Sequence, residues 1–360
     1  MSKVEELLEK YNPDGVEDLT LGEICLNHDS KRRPISKGNR IPGNIPYYGA
    51  NGIQDYVDDY LFNGEYILVG EDGSVITEEG TPIVKWVYGK FWVNNHAHIF
   101  SENLNKALLK YVFYILQINK IKDLVRGVPP KLTKESVLSI SLKIPHIKVQ
   151  EEIVKILDSF TNLIDTLNEE LSLRQKQFEY YREKLLTFDD APSLISKFTK
   201  VLRGKRLTTK ELSENANYPV YHGGTEPIGY YNEYNREANT VMIINVGASA
   251  GTIGFCNQNF WSSDGCYCLS HNQKIDNKFL YYSLLINEYK IKSQVRYAGI
   301  PTLDQRVIEN IQLFIPSISI QQSIVEKLDA FESLISSLKE EIALRQKQYE
   351  YYREKLLTFN

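Results

Sequence analysis

The sequence predicts an α+β chain in which two mixed α/β domains are joined by two long antiparallel coiled-coil helices. The pair carries the pseudo-twofold symmetry of a tandem duplication. Three observations lead there. Residues 173–188 read LRQKQFEYYREKLLTF and residues 344–359 read LRQKQYEYYREKLLTF, one substitution in sixteen positions. Extended backwards at the same offset, residues 144–188 match residues 315–359 with 29 identities in 45 positions. Upstream of these blocks the correspondence is loose: IPYYGANG (45–52) lies against YPVYHGGT (218–225), and RGVPPKL (126–132) against RYAGIPTL (296–303). Two near-constant segments thus alternate with two diverged ones, a period far longer than a solenoid's.

Taken in order, residues 1–143 form the first α/β domain with an N-terminal helix, and residues 144–188 the first helical spacer. Residues 189–314 form the second domain and residues 315–360 the second spacer. In the first spacer, apolar side chains at Ile153, Leu157, Phe160, Ile164, Leu167, Leu171, Phe178, Tyr181 and Leu185 alternate in steps of four and three, with one break at Arg174. That is a coiled-coil seam. The second copy repeats it from Ile324 to Leu356 with its break at Arg345, and Pro145 and Pro316 stand just ahead of each start. Each helix should run for roughly 35 residues, on the order of 50 Å. An antiparallel pair returns the chain to its starting end without a long connection. Within the domains, 65–70, 83–88, 91–100, 241–246 and 266–270 read as strands and 104–119 and 276–293 as helices.

Composition narrows the function. No run reaches eighteen apolar residues and the first twelve residues lack an apolar signal core, which argues against membrane spans and secretion. Four cysteines (Cys25, Cys256, Cys266, Cys268) suit a reducing compartment. The net charge of −4 disfavours a partner held by global charge, yet it is unevenly placed. Residues 21–143 and 197–314 carry +2 and +3, while the N-terminus, the linker at 189–196 and the spacers carry the negative charge. Basic clusters open both domains: Lys31, Arg32, Arg33, Lys37 and Arg40 in the first, Lys197, Lys200, Arg203, Lys205, Arg206 and Lys210 in the second. Each precedes a Tyr/Gly/Asn loop, an arrangement suited to phosphate anchoring beside a base-reading surface; the alternative is a solvated basic face.

Catalytic patterns are missing. His96 and His98 have the i, i+2 spacing of one strand face, with Cys266 and Cys268 in the comparable place, but no further metal ligands accompany them at zinc-site spacing. GASAGTIG (247–254) lacks the dinucleotide spacing, and no phosphate-binding GxxxxGK[ST], GxSxG or adenine-methyltransferase tetrapeptide occurs. Twenty-four tyrosines against 14 phenylalanines point to amphipathic contact surfaces. Of the pairs Tyr180–Tyr181 and Tyr351–Tyr352, beside Arg182 and Arg353, one ring each belongs in the coiled-coil core and the other on a partner-binding surface.

These residues resemble the specificity subunit of type I restriction-modification systems. The resemblance spans essentially the whole chain and rests on the duplicated LRQKQ(F/Y)EYYREKLLTF ending, with IPYYGANG, GEDGS (70–74), VNNHAHIF (93–100), VLRGKRLTTKEL (201–212) and YPVYHGG (218–224) matching target-recognition domains more loosely. It implies a non-catalytic, prokaryotic cytoplasmic subunit that recognises a bipartite, asymmetric sequence in double-stranded DNA, one half per domain. It also implies two modification subunits bringing S-adenosylmethionine for adenine methylation, and restriction subunits using ATP and Mg²⁺. No cofactor or metal is expected on this chain itself. Arg32, Arg33, Lys37, Arg40, Arg203, Lys205 and Arg206 are then phosphate or base contacts, and Tyr48, Asn51, Tyr221, His222 and Thr225 base-side loop residues. Arg126 and Arg296 are DNA contacts or structural ion pairs. The rival expectation is a coiled-coil scaffold without DNA recognition, which explains the helices but not the matched basic clusters.

Overall fold

A computed structural model describes residues 3–103, 106–188 and 191–359. The chain divides into two compact units, Met1–Leu167 with Glu341–Asn360, and Asn168–Glu340. Each is mixed α and β, and each includes part of both long helices.

The strands of unit 1 are β1 (Glu17–Thr20), β2 (Cys25–Asn27), β3 (Pro42–Gly49), β4 (Gly52–Val57), β5 (Phe62–Gly70), β6 (Val84–Val93), β7 (Ala97–Glu102) and β8 (Ser141–Ile144). Its helices are α1 (Lys3–Tyr11), α2 (Leu21–Ile24), α3 (Leu109–Leu116), α4 (Lys134–Leu138) and the start of α5 (Ile147–Leu185). A six-stranded sheet runs β2–β7–β5–β6–β3–β4, antiparallel throughout except β3 beside β6, where Tyr47 lies opposite Trp92 and Tyr48 opposite Val93. β1 and β8 pair separately. In unit 2, β9 (Ser193–Leu194), β10 (Val201–Leu202), β11 (Tyr218–Tyr221), β12 (Gly229–Tyr231), β13 (Thr240–Ile244), β14 (Ile253–Cys256), β15 (Trp261–Ser262), β16 (Cys266–Leu269) and β17 (Gln312–Leu313) are joined by α6 (Asn277–Lys292), α7 (Gln305–Glu309) and α8 (Ile318–Leu357). The order β2–β7–β5–β6 recurs as β10–β16–β13–β14, and β6–β3–β4 as β15–β11–β12 with β11 parallel to β15. β9 and β17 pair as β1 and β8 do. Where unit 1 uses one long strand, β6, unit 2 breaks it into β14 and β15.

The expected strands and helices are present with shifted ends, and two differ in kind. The strand expected over 91–100 is two strands, because Asn94 turns the chain: its Oδ1 accepts from His96 N at 2.8 Å. The strand expected over 83–88 instead runs on through Gly89, whose φ of 76° a β-carbon would resist, to Val93. Residues 104 and 105 of the expected helix 104–119, and residues 189 and 190 at the expected domain start, lie outside the described residues. The spacer helices are 39 and 40 residues long, slightly longer than expected. The helices are continuous through Arg174 and Arg345, where the apolar spacing breaks, and each arginine pairs within its own helix, to Glu170 and Glu341. No described helix is long and apolar enough to cross a membrane.

Each core joins sheet, domain helix and spacer helix. In unit 1, Ile67, Val69, Phe100, Tyr111 and Val112 pack with Val149, Ile153 and Leu157 of α5 and with Tyr349 and Leu357 of α8. In unit 2, Val241, Ile243, Phe279, Leu280 and Tyr282 pack with Ile324 and Leu328 of α8. Each fully buried large apolar side chain contributes about 1.5–3 kcal/mol.

A polar clamp accompanies each core. Buried Gln150 donates from Nε2 to Pro145 O (2.7 Å) and accepts at Oε1 from Leu108 N (2.8 Å). Buried Gln321 donates to Pro316 O (2.8 Å) and Lys274 O (3.2 Å) and accepts from Asp276 N (2.8 Å). Two turns on, the Tyr114 hydroxyl donates to Asp158, and Tyr282 likewise to Asp329. Burial, then the adjacent carboxylate, pushes both phenols far above their ordinary value, so each stays a donor. Lys110 lies 4.5 Å above the Trp86 ring and Lys278 4.8 Å above Phe255, each 3.7 Å from its clamp aspartate.

Replacing Gln150 or Gln321 with Ala strands two or three buried backbone groups, and each change should lower unfolding free energy by about 2–4 kcal/mol in urea titrations of the purified chain. A loss below about 0.5 kcal/mol would remove the clamp from the account of stability.

Candidate nucleic-acid interface

Five loops meet at one edge of the unit 1 sheet, bound to each other through backbone atoms. Arg33 N donates to Val93 O (3.3 Å), and Trp92 Nε1 donates back to Arg33 O (2.6 Å), which fastens the basic segment to the end of β6. Asn94 N donates to Tyr48 O (3.0 Å) and its Nδ2 to Gln54 Oε1 (3.1 Å), adding the β3–β4 turn. Glu71 N donates to His96 O (2.9 Å), Leu132 N to Glu71 O (2.8 Å) and Gly73 N to Pro130 O (3.0 Å), adding the end of β5 and the loop 126–131.

Unit 2 repeats this lattice almost bond for bond. Lys205 N donates to Ser262 O (2.9 Å) and Trp261 Nε1 to Lys205 O (2.8 Å). Ser263 N donates to Tyr221 O (3.0 Å), Asn245 N to Gly265 O (3.2 Å), Leu303 N to Asn245 O (2.8 Å) and Gly247 N to Pro301 O (2.9 Å). Gly204 is required here, because a β-carbon on it would fall 1.8 Å from Ser263 O. Apart from the two indoles and the Asn94–Gln54 pair, the lattice uses backbone N–H and C=O groups, so most side chains between its nodes are free to differ. The matched tryptophan anchors share a sequence signal, a Phe-Trp pair at Phe91-Trp92 and at Phe260-Trp261.

The expected contact residues divide between surface and interior. Arg33, Lys37, Asn51 and Arg126 in unit 1, and Lys205, Arg206, His222 and Thr225 in unit 2, are exposed on these loops. Arg203 is exposed with its Nε on Gln305 (3.2 Å), and Arg296 is exposed with Asp304 3.8 Å away. His222 faces Asp264 at 3.2 Å, and His96 in the other unit faces Asp72 at 2.6 Å.

Three assignments need correction. Arg32 turns inward: its guanidinium bonds Glu71 (2.5 Å) and the carbonyls of Asn95 and Ala97, lies 3.4 Å from Asp29, and is only 13% exposed. Arg40 stacks 4.3 Å over Tyr47 and pairs with Asp55 at 3.0 Å. Tyr221 is core: its ring meets Phe260 edge-on and its hydroxyl contacts Cys256 Sγ, so the tyrosine lends its backbone rather than its phenol to the loop edge. Tyr48 is half-buried, edge-on to Phe91 at 5.9 Å.

Asp29, Glu71 and His98 stand close enough together to hold a cation. Arg32 already supplies that positive charge, and His98 Nδ1 bonds Asp29 at 2.6 Å while its Nε2 bonds Leu132 O at 2.9 Å. The donor set therefore does not fit a metal. Burial pushes the Asp29 carboxyl up, but His98, the Ile99 amide and Arg32 outweigh it and hold it below its ordinary value. His96 and His98 do not share a strand face, because His96 lies in the turn before β7.

Among the helix-end residues, the Tyr181 ring stacks on Phe331 (5.4 Å) and Tyr352 on Phe160 (5.5 Å), while Tyr180 and Tyr351 are exposed. Arg182 lies over Phe178 and Arg353 over Tyr349; both arginines are half-buried with Nε itself buried and unpartnered, and Arg353 also donates to Gln117 Oε1 at 2.9 Å.

The type I restriction modification DNA specificity domain matches residues 13–173 and again 194–344. A putative type I restriction enzyme specificity subunit from Haemophilus influenzae is 35% identical, covering 99% of this chain and 98% of that protein. The EcoR124I/EcoR124II specificity subunit of Escherichia coli is 27% identical over 100% of this chain and 97% of its own length. The crystal structure of an S subunit from M. genitalium shares the fold, with a TM-score of 0.72 at 18% identity over 95% of this chain and 96% of that one. Both halves of the sequence, and the repeated loop lattice built from them, point the same way: the chain belongs to the family of type I restriction-modification DNA specificity subunits.

Proposed function

We propose that each unit reads one half of a bipartite, asymmetric double-stranded DNA target, and that this chain contributes recognition rather than catalysis to a larger assembly. The observation that carries this is the repeated lattice: one backbone-bonded set of five loops in each unit, presenting exposed cations beside a loop edge whose side chains differ between units. Phosphate contacts from Arg33, Lys37, Lys205 and Arg206 would fix register, and loop side chains such as Asn51, His222 and Thr225 would meet base edges. Two modification subunits would bring S-adenosylmethionine and methylate adenine, and restriction subunits would bring ATP and Mg²⁺, in a prokaryotic cytoplasm. The exposed Tyr180 and Tyr351 are the partner-facing groups of the helix ends.

The reading includes an antiparallel coiled coil of tandem-duplicated helices. In its favour, Phe160 stacks on Tyr352 within unit 1 and Tyr181 on Phe331 within unit 2, so a step of 21 residues forward along α5 accompanies 21 backward along α8. Three heptads is a seam-preserving step.

Exchange of residues 197–314 for the matching segment of a relative, followed by methylome sequencing, should change one half of the methylated motif and leave the other intact; change in both halves would sink the modular reading. For the same complex, replacing Arg203 and Arg206 together with Ala should make the slope of log affinity against log salt shallower by about two. An unchanged slope would take both off the phosphates. Arg32→Ala and Arg33→Ala should part company. The first takes the arginine from between Asp29 and Glu71, leaving Lys131 at 3.4 Å from Glu71 and His98 on Asp29, and should cost about 3 kcal/mol of stability, while the second should change stability by less than about 0.5 kcal/mol and weaken DNA binding instead.

A further inference from the structure

Two loops combine features that neither stability nor phosphate contact explains. Residues 126–131 in unit 1 are closed at the neck by Arg126 N to Lys131 O (2.9 Å) and Lys131 N to Arg126 O (2.7 Å). Residues 296–302 in unit 2 are closed by Arg296 N to Thr302 O (2.9 Å) and Thr302 N to Arg296 O (3.0 Å). Just beyond each neck a leucine, Leu132 or Leu303, is fully buried and pins the loop to its domain. The tips are apolar and face solvent. Val128, followed by Pro129 and Pro130, is fully exposed at 101%, and Tyr297 and Ile300 are 73% and 71% exposed.

Single exposed apolar residues, such as Tyr88 or Tyr289, are ordinary. These differ in recurring at matching places in two diverged domains, on necks that keep the tips from folding back onto the core. The recurrence survives different sequences, GVPP in one loop and YAGIP in the other. Each neck opens with an exposed arginine, and each tip is fastened to the interface loops by a single bond, Gly73 N to Pro130 O and Gly247 N to Pro301 O. An occupant of these surfaces must be anionic at its rim and apolar just beneath. A DNA duplex has that profile, with phosphates flanking stacked bases, and it is the occupant that the neighbouring cations Arg33 and Lys205 already favour.

We propose that the two loops are wedges: in each half-site the apolar tip enters a groove of the bound duplex and presses between base steps, with Arg126 or Arg296 on the flanking phosphates. The proposal rests on the DNA-reading role given above and deepens it. It adds sequence preference at steps that no side chain reads directly, because pyrimidine–purine steps unstack most easily.

The test uses the full chain assembled with its modification subunits, on a target duplex carrying 2-aminopurine at successive adenines other than the methylated one and those next to it. Binding should raise fluorescence at a step in each half. Val128→Ser should abolish the rise in the half read by unit 1 only, and Tyr297→Ser with Ile300→Ser the rise in the other half only. Each should weaken binding by about tenfold, with the salt slope and the thermal unfolding of the chain unchanged, since no phosphate contact or buried group is lost. A complex that binds and methylates its target with no rise in either half overturns the wedge and leaves the DNA reading standing. Variants that bind like the parent, or that instead lose modification subunits on purification, also overturn it. A parent complex that binds no bipartite duplex removes both.

Discussion

Everything the two domains present depends on how each is held to its long helix, and that attachment is a buried glutamine. Apolar packing alone would let a sheet-and-helix domain slide or rotate on a helix whose surface repeats every few residues. Gln150 and Gln321 remove that freedom, because each satisfies a carbonyl at its own helix start and an amide of the domain at once. A glutamine in this position cannot be shifted by one residue without stranding buried backbone groups, and the cost of doing so exceeds what sliding apolar contacts would recover. The Tyr–Asp bond and the lysine stacked over aromatic rings fix the next two turns. The orientation of each loop edge follows from this seating.

The loop edge solves a different problem. A surface that discriminates sequences must vary its side chains without losing its shape. In both units the shape is set by amide–carbonyl bonds and by one tryptophan indole donating to the carbonyl of a basic-segment residue, Arg33 or Lys205. Apart from the indole bond, none of these bonds depends on which side chain stands at the node. The exceptions are informative: Gly204 has no room for a β-carbon, and Tyr221 fills the core beneath the edge, so these positions serve the frame and not the contact.

The duplication, the long helices and the central strands β5, β6, β7, β13 and β16 were legible in the sequence because periodicity and near-identity are local signals; the short strands carry too few residues for such a signal. The clamp also leaves a trace in the sequence. Gln150 matches Gln321 and Asp158 matches Asp329 at the offset of the repeat, polar residues kept among apolar ones. What sequence could not sort was the basic cluster. Arg32 and Arg33 are adjacent and chemically equal, yet one pairs with Glu71, 39 residues away, and the other faces solvent. Arg40 is likewise claimed by Asp55 and the face of Tyr47. Only tertiary structure decides which cations are already neutralised. The phenol of Tyr221 is inside for a related reason: its side chain turns toward the core while its backbone reaches the edge.

The clamp also explains why near-identical helices can carry such different domains. Besides apolar packing, a helix that holds its domain by a glutamine and an aspartate uses an amide at the start of a domain helix, a tyrosine hydroxyl and a lysine over an aromatic ring. Unit 1 supplies these from Leu108, Tyr114 and Lys110 over Trp86. Unit 2 supplies them from Asp276, Tyr282 and Lys278 over Phe255. The residues that form the loop edge are not among the clamp's partners, so the edge can differ between units while the seating is kept. Divergence in the loops is therefore compatible with one retained attachment, and it falls where a sequence-reading surface needs it.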